Sequence, residues 1–292
     1  MALAGALLGL LVVVYAFALG TGDGRRVDAS AVFYASEGGP RIHDAAYEVI
    51  RSIDIGTLAL AGAGMLALAL LHRRVGTALA AGAALFCATA TTEALTPLLG
   101  SLDLLDGERT RLISHSFPSG HSTIAMSLGL ALLFLAPRAP RIWVGLAGAI
   151  YATAMGISLV VLRSHFPSDV LGGFLVASVW FVAGIGVLPA LARNRSTDAA
   201  QTSPQGRRTA SGGGALLLLF AAGVGLAAAL RTHRGLQADI SFHRQLTATS
   251  LGIAGTAVVL FAIVFAALEL LGPDARLPPP QSAPNPGSGE TL

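Results

Sequence analysis

The chain has 292 residues, of which 53% are hydrophobic and 12% charged, and its formal net charge is +3. A soluble domain carries charge on about a quarter of its residues, so this composition excludes an ordinary water-soluble protein and indicates that lipid surrounds most of the chain. No basic run alternates with aromatic residues, so no nucleic-acid partner is predicted. The single cysteine, Cys87, excludes an intrachain disulfide and a cysteine-based metal site.

Apolar segments recur along the whole chain. A membrane-spanning helix needs about 20 apolar residues, and eight segments approach that length: roughly 2–20, 53–71, 76–99, 120–136, 142–162, 169–191, 213–230 and 249–271. Only helices and closed barrels satisfy the backbone in lipid. We therefore predict an all-α, polytopic transmembrane helical bundle.

Polar stretches divide this pattern. The stretch from Gly20 to Arg51 is interpreted as an extramembrane loop with a short amphipathic helix around His43 to Ile50. Residues 194–212, rich in Arg, Ser, Thr, Gln and Gly, predict a flexible linker between a six-helix core (1–193) and a two-helix membrane appendage (213–271). Residues 272–292, rich in Pro, Ser and Gly, are predicted to be disordered.

Arginines in the short loops indicate the orientation. With a cytoplasmic N-terminus, the pairs at 73–74 and 138–141 and the arginines of the linker all lie inside. The arginines at 25–26 and those between the last two predicted spans fall outside and violate the rule. The core therefore favours this orientation and the appendage opposes it.

Two polar insertions interrupt the apolar pattern, each at the start of a predicted helix. They read Ser116-Phe-Pro-Ser-Gly-His-Ser122 and Arg163-Ser-His-Phe-Pro-Ser-Asp169. Between them the chain crosses the membrane and returns, so both should lie at the same membrane face. A proline in the first turn, free backbone N–H groups and the positive end of the helix dipole make each insertion a candidate anion site.

The side chains of these insertions suit phosphoryl chemistry. Each insertion holds one imidazole; a neutral ring can attack phosphorus, and a protonated ring can donate its proton to the departing oxygen. Asp169, four residues beyond His165, can accept the ring N–H and fix the attacking tautomer. Gly120 leaves room for a phosphate, and the hydroxyls of Ser119 and Ser122 can donate to its oxygens.

Phe-Pro-Ser-Gly-His-Ser followed by His-Phe-Pro-Ser-Asp resembles the second and third signature motifs of the type 2 phosphatidic acid phosphatase superfamily, over roughly residues 1–193. The resemblance implies a phosphohistidine mechanism without metal or cofactor. In it His165 is the nucleophile, Asp169 orients it, His121 is the general acid, and Ser119 and Gly120 contact the phosphate. The resemblance also implies an integral plasma-membrane protein with an extracytoplasmic active site and a lipid phosphate substrate.

The chain departs from the family where the family places cations. By alignment Thr96 stands in place of a lysine, Ser101-Leu102 in place of an Arg-Pro pair, and Leu159 in place of the arginine of the third motif. Three cations expected around the phosphate are therefore missing at their usual positions.

Other arginines are candidates to replace those cations. Arg163, two residues before the predicted nucleophile, is the first candidate, and Arg109 and Arg111 are the second. Each charge-assisted contact to a phosphate contributes about 1.5–3 kcal/mol, so a working phosphatase needs some such replacement.

The sequence therefore favours a metal-independent membrane phosphatase that acts on a lipid phosphate or pyrophosphate. Polyprenyl phosphates or diphosphates, phosphatidic acid and phosphatidylglycerol phosphate are all compatible substrates. Two alternatives stay open: a lipid-phosphate-binding or transport-related protein that has lost turnover, and a phosphotransferase that uses the same residues. The oligomeric state is also left open.

Overall fold

The computed structural model describes residues 2–35, 39–72, 74–100, 116–193 and 242–271. Within these ranges the backbone forms nine helices and no strand, which confirms the all-α prediction. The helices are α1 (Ala2–Gly20), α2 (Gly22–Ala35), α3 (Pro40–Arg51), α4 (Ile55–Leu71), α5 (Val75–Gly100), α6 (Gly120–Leu135), α7 (Arg141–Val161), α8 (Pro167–Arg193) and α9 (Phe242–Leu271).

Five of the described helices, α1, α5, α7, α8 and α9, are long and apolar enough to cross a membrane. The pair α3–α4, bent by 54° at a short break, makes a sixth if it is counted as one span. These helices include the predicted spans 2–20, 53–71, 76–99, 142–162, 169–191 and 249–271. The predicted span 120–136 corresponds to α6, a helix of only 16 residues, and the predicted span 213–230 lies outside the described residues.

The polar stretch from Gly20 to Arg51 is mostly helical, so its interpretation as a loop with one short helix was wrong. The helix α3 corresponds to the predicted amphipathic segment, but α2 precedes it. Asp28, Ala31 and Val32 are buried, and their spacing of three and four residues puts them on one face of α2. Since α2 packs against α1 and α9, tertiary burial stabilises a helix whose glycines and serine disfavour it.

The helix α8 lies at the centre of the bundle and packs against α1, α5, α6 and α9. Its Phe174 and Phe181 are fully buried, and the ring of Phe181 meets that of Phe134 in α6 edge to face, with centroids 5.1 Å apart. A Cβ atom on Gly173 would lie 2.6 Å from the carbonyl oxygen of Ser119. The missing side chain at this glycine therefore lets the start of α6 approach α8 closely.

The helix α9, which belongs to the predicted appendage, packs within the bundle. The ring of Phe261 occupies the space beside Gly129 of α6 and Gly148 of α7, where a Cβ atom would come within 2.6 Å and 2.8 Å of it respectively. Near the end of α9, Glu269 pairs with Arg141 of α7, whose side chain is buried. The described part of the appendage thus shares one hydrophobic core with the helices of residues 1–193. The predicted linker 194–212 and the predicted tail 272–292 lie outside the described residues.

Candidate active site

The two polar insertions meet at one place in the fold. Pro167 is the first residue of α8, whereas Pro118 lies one residue ahead of Ser119, the N-cap of α6. The hydroxyl oxygen of this N-cap accepts from the backbone N–H of Ser122 at 3.5 Å. The backbone N–H of Ser119 donates to the carbonyl oxygen of Asp169 at 3.0 Å. The start of α6 is therefore bonded directly to the first turn of α8.

A cavity of about 650 Å³ lies beside these two helix starts. Both imidazoles of the predicted site, those of His121 and His165, belong to its lining. Two rings that act as acid and nucleophile must reach the same phosphate, and a shared cavity meets that requirement. The described residues that line it are Thr92, Glu93, Thr96, Pro97, Ser116, Pro118, Gly120, His121 and His165.

The ring of His165 is held by Ser116, a residue of the first insertion that the sequence analysis did not select. The Oγ atom of Ser116 lies 2.8 Å from Nδ1 of His165 and donates to Oδ2 of Asp169 at 3.1 Å. The direct distance from Nδ1 to Oδ2 is 3.6 Å, which is longer than a hydrogen bond. The predicted pairing of His165 with Asp169 therefore has a hydroxyl between its two members.

The Asp169 carboxylate is almost completely buried, at 3% exposure, and lies in the first turn of α8. The backbone N–H of Phe166 donates to its Oδ2 atom at 3.0 Å. A buried carboxylate needs such donors, and the positive end of the helix dipole adds a favourable field. These contacts fix the carboxylate beside the His165 ring.

A second carboxylate, that of Asp28 in α2, also reaches the start of α8. It is buried, and its two oxygens accept from Ser168, from the backbone N–H at 3.2 Å and from the hydroxyl at 2.5 Å. This contact satisfies one of the backbone N–H groups that a helix start leaves without a partner in its own helix. The two residues are 140 positions apart. No local pattern in its polar stretch connects Asp28 with α8, so this contact could not be predicted from the sequence.

The three residues predicted to contact phosphate take two different positions. Ser119 and Ser122 are fully buried, and the hydroxyl of Ser122 donates to the carbonyl oxygen of Ser119 at 3.0 Å and lies 3.3 Å from that of Val170. Gly120 lines the cavity, where a Cβ atom would lie 3.7 Å from Oε1 of Glu93. In this arrangement the serines connect the helix starts, and Gly120 faces the space for a ligand.

Of the predicted replacement cations, only Arg163 belongs to the part of the chain that the structure describes, and it does not line the cavity. Arg163 is exposed, is absent from the lining, and has a φ of 54°, in the left-handed region, at the turn before α8. Arg109 and Arg111 lie outside the described residues. Glu93 contributes a carboxylate to the lining. In the described ranges, no three His, Cys, Asp or Glu side chains are grouped as metal ligands are, and metal independence stays a prediction.

Two of the three positions where the family has cations, Thr96 and Leu159, lie among the described residues. Thr96, at the lysine position, does line the cavity, and its hydroxyl lies within hydrogen-bonding distance of the carbonyl oxygens of Thr92, at 2.9 Å, and Pro118, at 3.2 Å. Leu159, at the arginine position, is buried in α7, where its carbonyl oxygen accepts from the backbone N–H of His165 at 3.3 Å. The first position therefore faces the site with a neutral hydroxyl, and the second contributes only packing and a backbone acceptor.

Comparison with known proteins gives the same picture for part of the chain. The PAP2 superfamily matches residues 85–193, which include α6, α7, α8 and both insertions. An undecaprenyl-diphosphatase from Sulfolobus acidocaldarius is 34% identical over 64 residues, which are 22% of this chain and 29% of that protein. No solved structure matches the chain. The similarity to the PAP2 superfamily therefore covers residues 85–193 of this helical membrane protein, including both of its cavity histidines.

Proposed function

We propose that this protein is a membrane phosphatase that hydrolyses a lipid-linked phosphate or diphosphate through a phosphohistidine at His165. The observation that carries the proposal is the cavity beside the starts of α6 and α8, which His121 and His165 line together. The PAP2 match covers both of these helix starts and supports phosphatase chemistry.

In the first step, Nε2 of His165 attacks phosphorus while the bond from phosphorus to the lipid oxygen breaks. The Nδ1 atom is the one held by Ser116, so Nε2 is the ring atom left to react. The bonding electron pair leaves with the lipid oxygen, which takes a proton from His121.

In the second step, water attacks the phosphorus atom of the phosphohistidine and the P–N bond breaks. His121, now neutral, accepts a proton from the attacking water, so inorganic phosphate departs and both rings return to their starting states. Asp169 and its hydrogen-bonded neighbours hold the His165 ring in one orientation throughout.

The dimensions of the helices support a substrate whose tail stays in lipid. At 1.5 Å per residue, the 16 residues of α6 span about 24 Å, against about 30 Å for the hydrocarbon layer. With the end of α6 near Arg138 at one membrane boundary, the start of α6 is recessed about 6 Å from the other boundary.

The relative's name is undecaprenyl-diphosphatase, so we include polyprenyl diphosphates among the substrates to test. The arginines in the short loops of the core support an extracytoplasmic site.

The test uses the purified full chain in mixed micelles with phosphatidic acid or a polyprenyl diphosphate, and phosphate release is measured. His165→Asn is expected to abolish release, and His121→Gln to lower kcat about 100- to 10,000-fold, as the loss of a general acid does. His72→Asn, at an exposed histidine at the end of α4, is the matched control and is expected to retain wild-type activity.

Trapping the covalent species provides a second readout. A labelled phosphoenzyme that is stable in base and labile in acid is expected in the wild type and absent from His165→Asn. Full activity in His165→Asn contradicts the nucleophile assignment. Wild-type protein that binds these lipids and releases no phosphate supports the lipid-binding alternative instead.

A further inference from the structure

The hydroxyl of Ser116 occupies the position between the His165 ring and the Asp169 carboxylate. Its oxygen is 2.8 Å from Nδ1 of the ring and 3.1 Å from Oδ2 of the carboxylate. Ring and carboxylate are themselves 3.6 Å apart, which is too far for a direct hydrogen bond. The hydrogen bonds that connect Nδ1 of His165 with Oδ2 of Asp169 therefore run through the Ser116 hydroxyl.

Counting donors and acceptors leaves two arrangements for these two hydrogen bonds, according to which neighbour receives the Ser116 proton. An ionised carboxylate only accepts, and a serine hydroxyl has a single proton to donate. When Ser116 donates that proton to Asp169, the contact with Nδ1 of His165 can exist only if Nδ1 carries the hydrogen. The opposite ring nitrogen, Nε2, then keeps its lone pair.

The reverse arrangement is less favourable for two reasons. If Ser116 donated to Nδ1, its oxygen would face Oδ2 of Asp169 at 3.1 Å with no proton between them. Asp169 is buried at 3% exposure, so losing one of its donors leaves a carboxylate poorly compensated in a region of low dielectric constant. In that arrangement Nε2 of His165 would also carry the proton and could not attack phosphorus.

We propose that Ser116 is a positioning residue through which Asp169 sets the tautomer of His165. The carboxylate orients the hydroxyl, and the hydroxyl accepts the Nδ1 hydrogen and leaves the Nε2 lone pair available. The inference concerns the ring's tautomer and rests on the proposed function only where it identifies Nε2 as the attacking atom.

The test compares Ser116→Ala and Ser116→Thr with the wild type. Ser164→Ala, at an exposed serine next to His165, is the matched control. The tautomer is read from ¹⁵N NMR of histidine-labelled protein in micelles, with the His165 signals identified by their loss in His165→Asn. Wild type and the control are expected to show hydrogen on Nδ1, Ser116→Ala to shift toward hydrogen on Nε2, and Ser116→Thr to restore the wild-type pattern.

Kinetics provides the second readout. Loss of correct ring positioning in Ser116→Ala is expected to lower kcat about 100-fold, at the lower end of the range for acid–base groups, while KM stays within about three-fold. The threonine variant is expected to recover most of the kcat because it keeps the hydroxyl. A purely structural role for Ser116 predicts a lower melting temperature without a change of tautomer.

The outcomes separate this inference from the proposed function. An unchanged tautomer and an unchanged kcat in Ser116→Ala overturn the role of Ser116, even if His165→Asn is inactive. A tautomer shift in Ser116→Ala supports it, even if wild-type protein releases no phosphate, in which case the proposed function fails alone. If neither serine variant folds, the wild-type spectrum decides, because hydrogen on Nε2 of His165 contradicts the assignment.

Discussion

Replacing Gly173 with alanine tests whether the close approach of α6 and α8 sets the geometry of the site. The new Cβ atom would lie 2.6 Å from the carbonyl oxygen of Ser119, whereas ordinary contacts begin at 3.4 Å. The Oγ atom of Ser122 lies nearer, at 2.1 Å, but it belongs to a side chain that can rotate. The carbonyl oxygen belongs to the backbone and cannot, so the two helices must separate by about 0.8 Å. Overpacking of this kind costs about 1–3 kcal/mol of stability.

The same displacement moves His121 relative to His165, since the two residues belong to the two separating segments. A misplacement of about 1 Å lowers the rate by about 100-fold. We therefore expect Gly173→Ala to lower kcat/KM for the lipid phosphate by about 100-fold and to lower the melting temperature in micelles. Gly186→Ala is the control on the same helix, because nothing lies within 4 Å of its Cβ position. Wild-type kcat/KM and melting temperature in Gly173→Ala refute this reasoning.

Two other changes test the surroundings of the cavity. Asp28→Asn removes the negative charge that accepts hydrogen bonds from Ser168 at the start of α8. The melting temperature and kcat are both expected to fall, with a stability loss of about 1 kcal/mol. Asp23→Asn, at an aspartate of α2 with 81% side-chain exposure, should change neither quantity, and equal effects of the two variants contradict the role of Asp28. Thr96→Lys restores a cation at a position that lines the cavity, so KM for an anionic lipid is expected to fall about ten-fold or more, whereas the neutral Thr96→Met should not lower it. An unchanged KM in Thr96→Lys shows that a side chain at this position does not reach the phosphate.

Much of the bundle follows from hydropathy, because lipid imposes a strong and local condition on the sequence. The run of apolar residues in α1 or α7 is long enough by itself to indicate a spanning helix. The helix α2 escaped prediction because its stability comes from contacts of Asp28, Ala31 and Val32 with other helices, and its own composition is polar. Tertiary packing of this kind outweighs local helix propensity.

For the candidate site, too, some features could be predicted from the sequence and others could not. The insertions predicted which segments come together, since a helix start with a proline and a return crossing are local features of the chain. The role of Ser116 was not predicted, because it depends on a distance of 2.8 Å to His165, which is 49 positions away. The hydroxyls of Ser119 and Ser122 were predicted to donate to a phosphate. In the fold the Ser119 hydroxyl accepts from the backbone N–H of Ser122, and the Ser122 hydroxyl donates to the carbonyl oxygen of Ser119 and lies 3.3 Å from that of Val170 in α8.

The region of family similarity, residues 85–193, needs a later part of the chain for its packing, because the ring of Phe261 in α9 fills a gap within it. A fragment ending at residue 193 would retain both histidines but lose the side chain that fills the gap next to Gly129 and Gly148. It would also expose Arg141 without its acidic neighbour from α9. An expressed fragment should therefore include α9, because the region of family similarity ends inside a hydrophobic core that this helix helps to form.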